Sequence, residues 1–226
     1  MKKLIFIFAL TISASAYGQK KNTIYLDTLG NKIDFMGSVS ILNTGRYKWD
    51  IDESNSKTRY YKWRKTTDTE FDSLLYKFRK HSFLNDKIGQ TFNLGEIVDI
   101  NGTRYTETEL AGKVLVVNYW FVGCGPCEIE MPELNRLVDK YKDNKDIVFI
   151  SFAKSSESKV ERFLDKKKFS YPVVSMTEEQ AMKFKINYYP TNYVIDKKGV
   201  YHFASQGAGA GGVHLLDKGI ETALDE

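Results

Sequence analysis

The sequence predicts an α/β protein, a central mixed sheet flanked by helices, with a small α+β extension ahead of it. Three observations carry this reading. Val114 to Phe121 is an apolar run broken only by Asn118, the mark of a strand buried on both faces. Further apolar runs of strand length alternate with amphipathic stretches of helical period, as in strand–helix–strand units. Thr191 to Asp196 and Val200 to Ser205 then flank the turn Lys197-Lys198-Gly199, which adds an antiparallel hairpin.

The elements follow in order. Lys2 and Lys3 precede an apolar stretch from Leu4 to Ala16, and the small residues Ala14, Ser15, Ala16 and Gly18 close it. This is the order of a secretory signal peptide. The stretch is short beside the about 20 residues that a membrane span requires. Residues 1–18 are therefore expected to be a signal peptide cut at Gly18–Gln19, with a cut at Ala16–Tyr17 or an uncleaved anchor as alternatives. No cysteine lies near the cut to carry a lipid.

Residues 19–87 form the extension, polar and aromatic in texture. Ile24-Tyr25-Leu26, Ile33-Asp34-Phe35 and Val39-Ser40-Ile41-Leu42 are expected to be short strands, with turns at Gly30-Asn31 and Thr44-Gly45. Asp68 to Lys80 is expected to be a helix, because Phe71, Leu74, Leu75 and Phe78 recur at helical spacing and Asp68 or Thr69 can cap it. Arg59-Tyr60-Tyr61-Lys62-Trp63-Arg64-Lys65 interleaves basic and aromatic residues. Single-stranded nucleic acid binders use such a pattern, but a half-exposed strand accounts for it as well, and nucleic acid is not expected as a partner. The extension is a candidate for docking a partner or covering a site.

Residues 88–226 form the α/β domain. After the strand Val114 to Phe121, a helix is expected from near Cys124 to Tyr141, with Met131, Leu134, Leu137, Val138 and Tyr141 on one face. Ile147 to Ala153 is the next buried strand, and Ser156 to Lys168 a helix with Val160, Phe163 and Leu164 inward. Tyr171 to Ser175 is a short strand, Glu178 to Lys185 a helix, and Val213 to Leu224 closes the fold. The glycine-rich run 207–212 lacks the Lys-Ser/Thr ending of a phosphate loop and is read as a connector. Trp120 and Phe121 are read as core.

Composition narrows the function. Among 226 residues, 42% are hydrophobic and 27% charged, which excludes a disordered, collagen-like or multi-span membrane chain. A net charge of +4 is too mild to demand a nucleic-acid partner. The two cysteines, Cys124 and Cys127, cannot staple an exported domain, since a bond across so short a loop removes little chain entropy.

Cys124-Gly125-Pro126-Cys127 follows a buried strand and opens a helix, the setting of a redox CxxC motif. A structural zinc site needs four ligands, and no second CxxC exists. His81, His202 and His214 lie far off in sequence, so no metal is expected. Unpaired N–H groups at the helix start favour a thiolate at Cys124, with a pKa lowered to roughly 3.5–7.5. Cys127, about a turn further in, is expected to be more buried and to act second. Cys124 would attack a substrate disulfide, and Cys127 would resolve the mixed disulfide.

The region from Ile88 to Leu224 resembles the thioredoxin superfamily, and within it the TlpA/ResA-like branch of exported thiol–disulfide oxidoreductases. Leu110-Ala111-Gly112-Lys113, the Cys-Gly-Pro-Cys tetrapeptide, Pro132 inside the helix and Tyr189-Pro190-Thr191 ahead of a strand carry the resemblance. It implies a cis proline at Pro190 whose loop packs on the disulfide and offers backbone to the substrate. Tyr189, Pro190, Thr191, Gly125 and Pro126 are thereby candidate substrate-binding residues. It also implies proton transfer between Glu130 and the second cysteine, whereas Glu128 and Glu133 merely complement the helix N-terminus. No cofactor is implied beyond the redox-active Cys124–Cys127 disulfide. The implied partners are disulfide-containing client proteins and a membrane thiol donor, in the periplasm.

The chain departs from the pattern at four places. Asn118 stands where thioredoxin keeps a buried aspartate, which shifts the proton-handling burden to Glu130. Gly123 replaces the usual tryptophan before the first cysteine and is expected to open the rim; Glu128 replaces a basic residue; Tyr189 is bulky and either gates the disulfide or packs. The expected function is disulfide reduction, since Gly-Pro between the cysteines is typical of members with potentials near roughly −270 mV. The alternatives are a peroxiredoxin-type thiol peroxidase, whose threonine three residues before the reactive cysteine is here Phe121, and a non-catalytic copper-binding or partner-binding module.

Overall fold

Alternation of side chains builds the first sheet. The structure, a computed structural model, describes residues 21–35, 37–38, 41, 47–67, 69–70, 73, 85–206 and 212–226. Strands β1 (Asn22–Leu26), β2 (Lys32–Ile33), β3 (Tyr47–Asp52) and β4 (Thr58–Lys65) form a sheet in the order β2-β1-β4-β3. Asp27 closes the β1–β2 turn by accepting from the Leu29 and Asn31 N–H groups at 2.8 Å, with Gly30 in the left-handed region at φ 90°. Tyr25, Trp49, Tyr61 and Trp63 stack across the sheet at ring separations of 4.9 to 6.5 Å. The basic residues between them find acids: Arg59 pairs with Glu53, and Arg64 with Asp50 and Glu70. The mixed basic and aromatic run is thus strand β4, whose Trp63 is only 1% exposed.

Two expectations in the extension change. The strand at Ile33-Asp34-Phe35 ends at Ile33, because the Asp34 carboxylate accepts from Gly37 N–H at 2.6 Å and caps a helical turn. Ser38 N–H donates to the Asp34 carbonyl at 3.0 Å, and Ser38 and Ile41 are helical, so Val39–Leu42 is not the expected strand where it is described. Strand β3 was not foreseen, although Tyr47, Trp49 and Ile51 alternate with polar residues. The signal-peptide expectation, the Thr44-Gly45 turn, most of the Asp68–Lys80 helix, His81 and most of the glycine run lie outside the described residues.

The second sheet positions the site. A 3-10 turn at Asn85–Lys87 leads into the small hairpin β5 (Ile97–Val98) and β6 (Arg104–Tyr105), then helix α1 (Glu107–Leu110), none of them foreseen. Strand β7 (Val114–Trp120) follows, with all seven residues buried. Helix α2 (Gly125–Tyr141), strand β8 (Ile147–Ala153), helix α3 (Glu157–Leu164), strand β9 (Val173–Ser175) and helix α4 (Glu178–Lys183) come next. Strands β10 (Thr191–Ile195) and β11 (Tyr201–Gln206) form the hairpin, and helix α5 (Gly212–Asp225) closes the chain. The order is β11-β10-β7-β8-β9, with β7, β8 and β9 parallel and β10 and β11 antiparallel. This is the expected mixed sheet, covered on both faces.

The period-two rule sorts the core into two layers. Leu115, Val117, Tyr119, Ile150, Phe152, Tyr193 and Ile195 face one side, with Phe92 and Met176. Val114, Val116, Ile147 and Val194 face the other, under Leu134 and Leu137 of α2 and Leu216 and Ile220 of α5. Each such aliphatic side chain, once buried, stabilises the fold by up to about 1.5–3 kcal/mol. No helix among the described residues is long and apolar enough to cross a membrane.

Helix α5 lies close enough on β11 to require a glycine. A Cβ on Gly219 would sit 2.8 Å from Cβ and Cγ of Phe203. Gly219→Ala is expected to lower the urea midpoint, because overpacking costs about 1–3 kcal/mol against a helix-propensity gain of about 1 kcal/mol. A midpoint above that of the parent protein would contradict this packing.

Candidate active site

The end of β7 decides where the cysteines stand. The Trp120 carbonyl accepts from Lys154 N–H at 2.8 Å, Val122 N–H donates to Ser155 Oγ at 3.0 Å, and Cys124 N–H donates to the Phe121 carbonyl at 3.1 Å. The turn they hold passes through Gly123 at φ 92°, a conformation that costs other residues strain. Gly123 is exposed, and a Cβ there would meet nothing within 4 Å. A glycine at 123 is therefore favoured by the backbone conformation of this turn, not by lack of space.

Cys124 is the N-cap of α2, and its sulfur accepts from Cys127 N–H at 3.3 Å. Gly125 and Pro126 form the first helical positions, where a missing N–H costs nothing. Cys124 and Cys127 are disulfide-bonded at 2.02 Å. Cys124 is 4% exposed and Cys127 1%, the expected order, with Trp120, Met131, Ala153 and Val160 in the same cluster. Pro126 is exposed and Gly125 half-buried, so the helix start is the reachable face. Pro132 lies inside α2, where it withholds the N–H that would bond the Glu128 carbonyl.

Glu130 is buried at 3% exposure, one turn beyond Cys127. Its Oε1 accepts from Asn118 Nδ2 at 2.9 Å and from Asn192 Nδ2 at 3.2 Å, and its Oε2 from Asn192 Nδ2 at 3.3 Å. Desolvation pushes the carboxyl pKa up to about 8, against the opposing pull of the two amides. Neither of the other two acids shares this setting: Glu128 faces Lys167 at 3.8 Å, and Glu133 pairs with Arg136.

The loop ahead of β10 reaches the cysteines through aromatic contact. The Tyr189–Pro190 peptide is cis. The Tyr189 ring meets Phe121 edge-on at 5.3 Å, and Tyr189 packs against the cluster that holds both cysteines. Lys154 Nζ lies 5.2 Å above the Tyr189 ring and pairs with Glu178 at 3.1 Å. Pro190 and Thr191 are buried, and Thr191 Oγ1 donates to the Tyr188 carbonyl at 2.8 Å. Trp120 is core as expected, at 0% exposed. Phe121 is not: β7 ends at Trp120, so Phe121 is half-buried at the rim beside Tyr189.

Sequence reasoning missed Asn192 and Lys154. Asn192 had one signal, a polar residue in an otherwise apolar strand; Lys154 had none. Among the described residues, Asp196, His202 and Glu226 bring possible metal-ligand atoms within 4.8 Å of one another, and no cysteine belongs to that group.

The sequence profile of the AhpC/TSA family matches residues 88–203. The thioredoxin-like protein YneN of Bacillus subtilis (strain 168) is 30% identical over 103 residues, covering 45% of this chain and 61% of that one. The thiol-disulfide oxidoreductase ResA of Bacillus cereus is 30% identical over 104 residues, covering 46% and 60%. The chain thus spans about three fifths of the length of these relatives. A crystal structure of a thiol:disulfide interchange protein of the thioredoxin family from Chlorobium tepidum TLS superimposes with a TM-score of 0.50 at 23% identity, covering 61% of this chain and 96% of that one. That likeness supports the thioredoxin-like fold. With its profile matched over more than half of its length, the chain belongs to the AhpC/TSA family of thioredoxin-like proteins.

Proposed function

We propose that the protein is an exported thiol–disulfide oxidoreductase that reduces disulfides in extracytoplasmic proteins. The observation that carries this reading is a cysteine pair at the start of a long helix, with a buried carboxyl one turn further in. In the reduced protein, the helix N-terminus favours the Cys124 thiolate. That thiolate attacks one sulfur of a client disulfide, forming a mixed disulfide and expelling a client thiolate. Cys127 gives its proton to Glu130, attacks Cys124 and releases the second client thiolate. Two electrons pass to the client, and the Cys124–Cys127 disulfide is left behind. A membrane thiol donor returns the electrons, and no cofactor beyond the disulfide is needed. Tyr189, with Gly125 and Pro126, forms the surface on which the client lies, and Pro190 and Thr191, themselves buried, hold the Tyr189 loop that receives the client backbone. Residues 1–18 direct export to the periplasm, residues 19–87 are an extension, and residues 88–226 the redox domain.

The names of the relatives support this reading: ResA of Bacillus cereus and YkuV of Bacillus subtilis are both called thiol-disulfide oxidoreductases. Membership of the AhpC/TSA family favours a second reading, a thiol peroxidase. Against it, the residue three before Cys124 is Phe121, an aryl group set edge-on to Tyr189 with no hydroxyl to offer a peroxide.

The cysteines separate the two readings. Cys124→Ser is expected to abolish insulin reduction, and Cys127→Ser to accumulate a mixed disulfide with client on non-reducing gels. Peroxide consumption with a thiol donor, in the absence of insulin reduction, would instead establish the peroxidase.

Glu130 sets the pH dependence. Client release is expected to quicken as pH rises toward about 8, where the carboxyl becomes able to accept a proton. Glu130→Gln should remove that inflection and slow release by on the order of 100-fold in single-turnover measurements. An unchanged profile would refute the proton-transfer role.

Stability carries the opposite sign. The folded pKa is raised from the ordinary 4.5 to about 8, so between these values the folded protein holds a proton that the unfolded chain has lost. This contribution to stability therefore falls as pH rises across that window, and Glu130→Gln should flatten the decline in denaturant titrations. An equally steep decline in the variant would contradict the assignment.

A further inference from the structure

The buried acid does not stand alone, and its partners are arranged in one direction. Asn118 on β7 and Asn192 on β10 are directly opposed in the antiparallel register. The sheet's alternation puts both on the α2 side, while Val117 and Tyr193 face the other layer. Both amides are nearly fully buried, at 1% and 2% exposed. Asn118 Nδ2 has two hydrogens: one reaches Glu130 Oε1 at 2.9 Å and the other Asn192 Oδ1 at 2.9 Å. Asn192 is thereby oriented with its oxygen toward Asn118 and its nitrogen toward Glu130, 3.2 Å from Oε1 and 3.3 Å from Oε2. Turning the Asn118 amide over would set its oxygen against those of Asn192 and Glu130, a cost that burial makes high.

We propose that Asn192 is a positioning residue for Glu130, held in orientation by Asn118, so that the acid carries its exchangeable proton on Oε2. This rests on the reading of Glu130 as the proton acceptor of Cys127. Oε1 faces two donors, so a proton placed there would collide with two N–H groups. Oε2 has the single, longer contact and is the oxygen free to exchange a proton. The ionised form accepts all three contacts and is favoured by them; the neutral form is favoured by the apolar surroundings. Asn192 works against desolvation and keeps the acid able to ionise near neutral pH. The titratable group that feels Glu130 from a neighbouring element is Tyr171, ahead of β9, whose own hydroxyl is pushed up by burial and by the Glu130 charge; Cys127, three residues back on α2, is held in the disulfide. Neither β7 nor β10 presents a charged group to it, so the two amides are what oppose desolvation. Asn192 also lies two residues past Pro190, which ties the acid to the loop proposed to receive the client.

The test is a carbon NMR titration of the oxidised protein labelled at glutamate side-chain carboxyls, with Glu130→Gln identifying the signal. Asn192→Val removes the donor, and the Glu130 midpoint is expected to rise by about 1 or more on the pH scale, since bonds to a charged group are worth more than neutral ones. Asn118→Leu should move it the same way, by releasing the Asn192 amide as well as its own bond. Asn192→Ser, which keeps a shorter donor, replaces Asn192→Val if that variant does not fold, and should also raise the midpoint. An unmoved or lowered midpoint overturns the proposal, even where activity falls, because a merely structural role would reduce activity without moving the titration. Failure of insulin reduction in the parent protein would overturn the oxidoreductase reading and leave the titration result intact.

Discussion

The passage from β7 into α2 is the constraint on which the site depends. Seven consecutive buried residues fix the strand, and the turn after Trp120 has to bring the chain out of the sheet within four residues. Gly123 makes that reversal at positive φ, and the backbone bonds around it leave no slack. The first residue able to start a helix is Cys124, and its sulfur fills the N-cap role that a serine or aspartate oxygen fills elsewhere. The place of Cys124 follows from where the buried strand ends. Helix α2 then carries Cys127 and Glu130 under the sheet at intervals of three residues, which is why the second cysteine and the acid share a buried face.

Burial makes this face unusual. The layer between the sheet and α2 is aliphatic around Val114, Val116, Leu134 and Val194. Toward the cysteines it turns polar, with Asn118, Ser151, Asn192 and Glu130 all nearly inaccessible. An acid there is a cost to stability, and it is tolerated because each oxygen finds an amide donor. The other polar members are likewise satisfied: Ser151 Oγ donates to the Pro172 carbonyl at 3.1 Å. An apolar residue at Glu130 would pack into the layer without any of these requirements, which is what the proposed proton-transfer role of Glu130 would explain.

Much of this was legible because it rests on short-range rules. The buried strands β7 and β8 are continuous apolar runs and were read to within a residue. The helix after the first cysteine follows from its apolar spacing. Other parts rest on pairings distant in sequence. Hairpin β5–β6 joins two strands of two residues each, too short for any periodicity to mark. Strand β3 did alternate, but its aromatics gain their meaning only when β4 brings Trp63 and Tyr61 beside them. The helical turn at Asp34 was a competition between the apolar–polar–apolar alternation of Ile33-Asp34-Phe35 and a capping side chain, and the cap won. The site divides the same way. Cys124, Cys127 and Glu130 are close in the chain and could be placed on one helix from spacing alone. Asn192 is 62 residues from the acid that it bonds, and only the register of β7 against β10 brings them together.

Backbone amides at the start of α2 are proposed to make the Cys124 sulfur an anion at neutral pH. The most direct measurement is the pH dependence of Cys124 alkylation in the reduced protein, followed peptide by peptide so that Cys127 is scored separately. The expected Cys124 midpoint lies well below the about 8.5 of a free cysteine, within roughly 3.5–7.5, with a higher one for Cys127. A Cys124 midpoint at or above the free value would contradict it.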